Sequence, residues 1–242
     1  TGGANTYNYD VEYAKKAAEA FGQLLALVES GQTQYSLAQF KYKNVYSHVR
    51  AADATSCYSD IFYTSGQNWL MPGSTEAIFR GSSTDFNGSN WGTSKTFGPK
   101  VNGLVEHDNI IHHPTANYVK FYGMENGLPL DDPNSGYDPN RPFKGRDPRF
   151  YHDIVFDGFK YVNSTMPADQ EFMRYTQLST NGIMRNDQNG SRTGYFIQKL
   201  VPHTANKYDG AYNWSGSLHV YLPYMRLGDI YLMYAEACAA FG

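Results

Sequence analysis

Two strongly helical segments near the ends of the chain constrain its fold more than any other feature. In residues 10–30, apolar side chains recur at helical spacing, with Asp10 placed as an N-cap and Gly31 placed where a helix commonly ends. In residues 223–241, a second apolar stripe repeats at intervals of three and four residues. The segment between them is rich in Gly, Pro, Asn and Ser and contains only short strand-like runs. The sequence therefore predicts two helices that flank a loop-rich middle.

The first helix carries small residues that would allow a second helix to approach closely. Ala14, Ala17 and Ala18 lie on or next to its apolar stripe, as the paired helices of tetratricopeptide repeats require. We predict a mainly α fold: a tetratricopeptide-like helical scaffold with an irregular, loop-rich lobe and a few short strands. Within the middle we expect short helices at 38–50, 59–64 and 116–124, and short strands at 75–80, 150–156, 159–162 and 193–200, with 159–162 pairing with 150–156.

We predict a single domain over residues 1–242. The helical scaffold would comprise 10–50 and 223–242, and the loop-rich excursion would comprise 51–222. The first residues show neither the charged start nor the apolar run of a signal peptide, and the last residues lie within a helical pattern. We expect the chain to be an internal portion of a longer protein, truncated at both ends.

Charge, hydropathy and cysteine content exclude several classes of protein. A formal net charge of −3 argues against a nucleic-acid binder, which would show a basic surplus. No run of 18 apolar residues is present, so we expect no membrane-spanning helix. Cys57 and Cys238 match no metal or redox spacing. Two free thiols are favoured over a single disulfide.

No motif predicts a metal, a cofactor or a catalytic group. Residues 131–138 are similar to a calcium loop, but the twelfth position is Pro142 or Phe143 instead of the bidentate Glu. His112 and His113 are adjacent and would point in opposite directions along an extended segment. Phosphate-loop, dinucleotide and nucleophile-elbow motifs are absent from the sequence. A glycoside hydrolase stays an alternative, because two carboxylates at the right separation suffice and that separation is spatial.

Aromatic residues interleaved with amides and glycines are the strongest positive signal. The chain has 21 Tyr, 14 Phe and 3 Trp, and aromatics make up 16% of its residues. A Tyr or Trp ring offers a flat apolar face that can stack on a sugar, while a neighbouring amide can bind the sugar hydroxyls. The alternative is that these rings attach long loops to the scaffold. The candidate glycan-binding residues are Phe86, Asn90, Trp91, Tyr63, Trp69, Tyr208, Tyr212 and Trp214.

Four ordered motifs resemble those of the SusD/RagB family of nutrient-binding proteins. They lie in residues 114–133, 134–151, 193–199 and 224–237. Residues 145–150 resemble the family's Asn-Arg-Asp-Pro-Arg-Phe signature, with Gly145 in place of Asn. Residues 226–237 resemble its Arg-Leu-Ala-Glu-Val-Tyr-Leu-x-Tyr-Ala-Glu-Ala helix. The resemblance implies a SusD-like fold.

The resemblance also implies a function and a cellular location. Members of this family are outer-membrane lipoproteins of Bacteroidetes-type bacteria that lie over a TonB-dependent transporter of the SusC kind and deliver oligosaccharides to it. We therefore expect non-catalytic glycan binding at the cell surface, a SusC-like partner, no nucleic-acid partner, and membrane contact only through a lipid anchor outside this chain. The family's sugar-contacting residues lie in variable loops, so none is assigned here by motif. Besides the hydrolase, a pure protein-interaction module stays an alternative.

Overall fold

The computed structural model describes residues 10–65, 74–80, 98–99, 112–186, 190–201, 203, 206–209, 218–220 and 222–242. The chain divides into two compact units. The first comprises residues 1–38, 75–80 and 223–242, and the second comprises 39–74 and 81–222. The assignment of the whole chain to a single domain stays a prediction.

The first unit contains the predicted N-terminal helix. Helix α1 spans Val11–Glu29, and the Asp10 carboxylate caps it by accepting a hydrogen bond from the Glu12 N–H at 2.9 Å. Ala18 and Leu25 are buried on one face of the helix. The chain leaves the helix at Gly31, whose φ of +71° is in the left-handed region that glycine adopts easily. The sequence prediction for this helix is confirmed.

The C-terminal helix begins four residues later than predicted. Pro223–Arg226 form strand β8, which pairs antiparallel with strand β4 (Ala77–Arg80), and helix α5 follows at Leu227–Phe241. The Leu227 N–H donates to the backbone carbonyl of Glu76 at 2.9 Å, so the end of the strand pair also fixes the start of the helix. Because strand pairing is a long-range contact, the local periodicity does not reveal it.

Helices α1 and α5 pack against each other. Gly22 lies at their contact, since a Cβ built there would be 3.3 Å from the ring of Tyr234. The apolar core that they share consists of Leu25, Leu227 and Ile230, with Phe21, Leu24, Val28, Tyr35, Ile78, Tyr231, Met233 and Tyr234 packed around it. A close helix pair with short strands beside it confirms the prediction of a mainly α fold with few strands.

The second unit is built from short elements. Its described helices are α2 (Ala116–Lys120), α3 (Pro148–Asp153) and α4 (Ile183–Asn186), with 3-10 turns at Tyr58–Ile61 and Ala168–Arg174. Its antiparallel strand pairs are β1–β2 (Tyr42–Asn44 with Val49–Arg50), β3–β7 (Tyr63–Ser65 with Leu218–Val220) and β5–β6 (Ile154–Val155 with Phe196–Ile197). Its core includes Val119, Phe150, Phe156, Phe159, Leu178, Met184 and Phe196.

Three short-element predictions for this unit are wrong. Residues 38–50, predicted as helix, contain the β1–β2 hairpin, with His48 at a φ of +51° before β2. Residues 150–156, predicted as strand, begin within α3, because Asp147 caps that helix and Pro148 occupies its first position. Residues 159–162 do not pair with that segment; Lys160 bridges Tyr175 instead.

One other local prediction is confirmed. The predicted helix after Thr115 forms, and the Thr115 hydroxyl accepts a hydrogen bond from the Tyr118 N–H at 3.2 Å. Cys57 and Cys238 are both free thiols. Among the residues that the structure describes, no helix is both long and apolar enough to cross a bilayer.

Candidate ligand-binding groove

A buried arginine organises a part of the second unit that contains three neighbouring cavities. Arg146 is only 3% exposed, and its guanidinium lies 4.5 Å from the centroid of the Phe150 ring. Burial lowers the pKa of this guanidinium from its usual value. Its N–H groups donate, at 2.6 to 3.3 Å, to the backbone carbonyls of Val119, Tyr122, Gly123 and Pro142. Arg146 thus connects α2 and the loop after it to the loop before α3.

The residues next to Arg146 shape the start of α3. Gly145 has a φ of +64°, a left-handed conformation that a β-carbon disfavours. The Asp147 carboxylate accepts hydrogen bonds from the Arg149 backbone N–H at 2.8 Å and from the Arg149 Nε–H at 3.0 Å. Burial raises the pKa of Asp147, but its bonds with Arg149 outweigh that effect and leave the pKa below its usual value. The helix start therefore carries a fixed carboxylate–guanidinium pair.

This region surrounds a cavity of about 830 Å³. The Phe121 side chain, at the end of α2, lies on this cavity and is 86% exposed. Asn117, Lys120 and Asp131 line the same cavity and are exposed, and the Asp147–Arg149 pair lies on its wall. A flat apolar ring is therefore placed beside an amide, a carboxylate and an ammonium group.

Two smaller cavities share walls with the first. One of about 370 Å³ shares Lys120, Leu130 and Asp131 with it and is also lined by Tyr137, Pro142, Arg146 and Tyr195. The other, of about 420 Å³, shares Met124 and extends along Asn126, Ser135, Asp138, Arg141 and Lys144. We refer to the three cavities together as the α2 groove. Each volume lies in the range of small-molecule sites.

The α2 groove combines an exposed aromatic ring with polar side chains, as ligand-binding sites do. An exposed aromatic ring can stack on the apolar face of a ligand, while Asn117 and Asp131 can bind its hydroxyl groups. Over the residues that the structure describes, no group of three or more His, Cys, Asp or Glu is arranged to hold a metal ion.

Several carboxylates that a hydrolase could use have structural roles. The Asp157 carboxylate accepts hydrogen bonds from the backbone N–H groups of Leu178 and Ser179, at 2.6 and 3.0 Å. Asp132 caps its own turn at Asn134. Asp153 is buried and accepts a hydrogen bond from the Tyr122 hydroxyl at 2.8 Å. Two further candidates, Asp85 and Glu106, lie outside the described residues.

Two of the eight predicted glycan-binding residues can be located, and neither lines the α2 groove. Tyr63 is only 7% exposed, and burial raises the pKa of its hydroxyl to about 12. Tyr208 packs partly buried against the core of the second unit, and its hydroxyl donates to the Gln170 side chain. The other six lie outside the described residues: Phe86, Asn90, Trp91, Trp69, Tyr212 and Trp214.

Sequence reasoning missed Phe121. The prediction of a helix at 116–124 assigned no role to this ring, and in the structure Val119 is the buried residue of α2. Phe121 follows Val119 by two positions, which places it on the opposite side of a helical turn. An aromatic residue off the apolar stripe of a short helix was the available signal.

The SusD family profile matches residues 75–242, a range that includes all four of the motifs described above. The chain belongs to the SusD family. The resemblance found in the sequence is therefore confirmed, and the chain is a SusD-family chain.

Solved structures with a similar fold come from the same family. A SusD-like protein from Bacteroides fragilis is 20% identical, with a TM-score of 0.49, over 93% of this chain and 40% of that protein. A SusD-like carbohydrate binding protein from Bacteroides fragilis is 19% identical, with a TM-score of 0.47, over 94% of this chain and 36% of that protein. This SusD-family chain thus spans less than half the length of either. No curated protein matches it significantly.

Proposed function

We propose that this SusD-family chain binds an oligosaccharide or polysaccharide at the bacterial cell surface and does not alter it chemically. The observation that carries the proposal is the Phe121 ring, 86% exposed on a cavity of about 830 Å³. What sets this ring apart from the other exposed apolar side chains is its position on a cavity that also carries polar groups, the combination typical of ligand-binding sites. Sugar rings have apolar C–H faces that fit such a surface.

The polar residues around Phe121 support a hydroxyl-rich ligand. Asn117 supplies both a donor and an acceptor, and Asp131 supplies acceptors. Arg149 is held in place by its bidentate contact with Asp147, so it can offer its remaining N–H groups at little entropic cost. Stacking would provide most of the affinity, and these groups would orient the sugar.

Delivery of the glycan belongs to the same proposal. Family membership and the name of one similar structure, a SusD-like carbohydrate binding protein, support a role in glycan uptake. The chain would act in a lipid-anchored outer-membrane protein that passes the glycan to a SusC-like, TonB-dependent transporter. Phe86, Asn90, Trp91, Trp69, Tyr212 and Trp214 stay proposed contributors to glycan binding in the middle of the chain.

Affinity electrophoresis tests the proposal. Native gels containing soluble starch, xylan, mannan, pectin or β-glucan should retard the protein in at least one case. Phe121→Ala should weaken that retardation about ten-fold or more, since losing the burial of one aromatic ring costs roughly 1.5–3 kcal/mol. Phe172→Ala is the matched control, because Phe172 is also exposed (56%) but lines none of the three cavities.

The two alternatives give different results in the same assay. A hydrolase would release reducing ends from the retarding polysaccharide on long incubation. A pure interaction module would show no retardation with any glycan and would co-purify with an outer-membrane barrel. Retardation that Phe121→Ala and Phe172→Ala leave equally unchanged would place glycan binding outside the α2 groove.

A further inference from the structure

We propose that the 370 Å³ cavity of the α2 groove binds an anionic substituent of the glycan, a carboxylate or a sulfate carried by one sugar unit. The inference rests on the proposed function and specifies its substrate class. It depends on three residues that line this cavity: Arg146, Tyr137 and Tyr195. A cavity of this size is large enough for a single sugar unit.

Among the residues that the structure describes, Arg146 is a buried cation without a carboxylate partner. Only 3% of the Arg146 surface is exposed to solvent, and Arg146 forms no ion pair within the described part of the chain. The neighbouring carboxylate of Asp147 binds Arg149 instead, with Oδ2 and Nε 3.1 Å apart. Buried charges are normally paired, because an unpaired charge loses much of its solvation. Four backbone carbonyls solvate this guanidinium with dipoles and leave its full positive charge in place.

The guanidinium also retains an unused donor. It has five N–H bonds. With acceptors in the described parts of the chain, Nε makes one hydrogen bond, Nη2 makes two and Nη1 makes one, so one N–H on Nη1 has no acceptor there. Nη1 donates to the Pro142 carbonyl at 2.9 Å, and Pro142 itself lines the 370 Å³ cavity. The structure therefore places the spare donor beside this cavity.

Two tyrosines line the same cavity as Arg146. Burial raises the pKa of the Tyr195 hydroxyl, and the charge of Arg146 lowers it less, so the hydroxyl stays protonated at neutral pH. Tyr137 lies close enough to Arg146 to interact with its charge. An oxyanion in the cavity could accept charge-assisted bonds from Arg146 and further bonds from these two hydroxyls.

The other two charges of the cavity oppose each other. Lys120 and Asp131 are both exposed, and both lie on the wall shared with the 830 Å³ cavity. Because the charges of Lys120 and Asp131 cancel, the charge of Arg146 makes the electrostatic potential in the cavity positive. Because the wall is shared, an anionic unit here would neighbour a unit stacked on Phe121.

The test uses acidic polysaccharides and their neutralised counterparts. Polygalacturonate, alginate and glucuronoxylan are each compared with the carboxyl-reduced polymer, and chondroitin sulfate is compared with its desulfated form. We expect at least one acidic polymer to bind about ten-fold more tightly than its neutral counterpart, with an affinity that falls as salt rises. The carboxylate and sulfate pairs show which oxyanion is bound.

Tyr195→Phe tests the cavity itself, whereas a substitution of Arg146 would also remove its four hydrogen bonds to backbone carbonyls. Removing one hydroxyl should reduce the preference for the acidic polymer about three- to ten-fold and leave affinity for the neutral polymer unchanged. Tyr175→Phe is the control, since Tyr175 is exposed and does not line the cavity. An unchanged preference in Tyr195→Phe, or equal binding of the acidic and neutral forms, overturns the inference. Binding of neutral polymers that depends on Phe121 would leave the proposed function intact, whereas no binding by any polymer would contradict both.

Discussion

The imidazole rings of His48 and His152 stack in the interior of the second unit, with centroids 4.2 Å apart and planes inclined by 10°. The ring of His203 lies 5.2 Å from that of His48. Both stacked rings are buried, and within the described residues His48 Nδ1 and His152 Nε2 have no hydrogen-bond partner. Two protonated imidazoles could not stack this closely without repulsion, so the native fold requires neutral rings.

This histidine cluster predicts a loss of stability in acid. Burial lowers the pKa of His152 to about 3 and of His203 to about 4, and burial with the nearby histidines lowers that of His48. Unfolded histidines titrate near ~6.5. The unfolded chain therefore binds more protons below that pH. We expect the free energy of unfolding to have its full value above pH ~7. It should fall as the pH drops, by up to about 1.4 kcal/mol per pH unit for each histidine.

Other polar and titratable groups near the histidine cluster also affect its protonation and the pH dependence of stability. The Tyr151 carbonyl accepts from His48, and the charges of Arg50 and Asp209 act on His203 in opposite directions. Burial raises the pKa of Asp153, so protonation of Asp153 in acid offsets part of the loss of stability.

Urea unfolding at pH 7.5 and 5.0 tests the prediction. The difference in the free energy of unfolding between the two pH values should be smaller for His152→Phe than for the native chain. An unchanged difference would contradict the prediction. His112→Ala, at an exposed position, is the control and should leave the pH dependence of the free energy of unfolding unchanged.

Glu76 anchors the first unit. Its carboxylate is buried, lies 3.2 Å from Arg226 Nη1 and accepts the Ala38 N–H at 2.8 Å. We expect Glu76→Ala to destabilise this unit by about 2 kcal/mol, because it removes the buried acceptor of both Arg226 Nη1 and the Ala38 N–H. Arg226 Nε keeps its contact with Asp229 at 3.2 Å. Chemical unfolding followed by circular dichroism measures the change.

An exposed ion pair of the same unit supplies the comparison. Glu12 and Lys15 lie 2.9 Å apart on α1 in water. Glu12→Ala should therefore cost no more than about 0.5 kcal/mol. Similar losses for Glu12→Ala and Glu76→Ala would show that burial does not determine the strength of these pairs.

Gly145 tests why this chain departs from the family signature. Its φ of +64° suits glycine and is tolerated by asparagine, the residue of the signature, but it strains a β-branched side chain. A Cβ at this position would lie 3.5 Å from the flexible end of Met124, which leaves room for a side chain. We expect Gly145→Asn to change the melting temperature little and Gly145→Val to cost roughly 1–2 kcal/mol. Equal effects of Gly145→Asn and Gly145→Val on stability would show that the backbone conformation does not determine which residue is tolerated at this position.

The ring of Phe121 predicts how substitutions change ligand affinity. Phe121→Trp should retain or improve glycan binding, because a larger flat face stays available for stacking. Phe121→Leu keeps apolar surface but loses the flat face, and it should weaken binding less than Phe121→Ala does but measurably relative to phenylalanine. Isothermal titration with the retarding glycan measures both. Leucine performing as well as phenylalanine would mean that apolar contact alone suffices.

Local features were readable from the sequence. Helix α1 was predicted with its N-cap at Asp10, because capping and apolar periodicity involve residues within a few positions of one another. The same applies to Thr115 at the start of α2. The family was also recognisable, since its motifs are short and occur in order. The hairpin at residues 42–50 was missed because its pairing competes with a weak helical pattern.

The sequence by itself determined the two long helices and the family, because both depend on patterns among residues that are close together in the chain. Only the tertiary structure decided which rings face water and which charges are buried. Phe121 and Tyr63 are similar in chemistry, yet one is 86% exposed and the other 7%. Likewise, His48, His152 and His203 come together from distant parts of the chain. Cavities and buried clusters arise from contacts between distant segments, and no local pattern specifies those contacts.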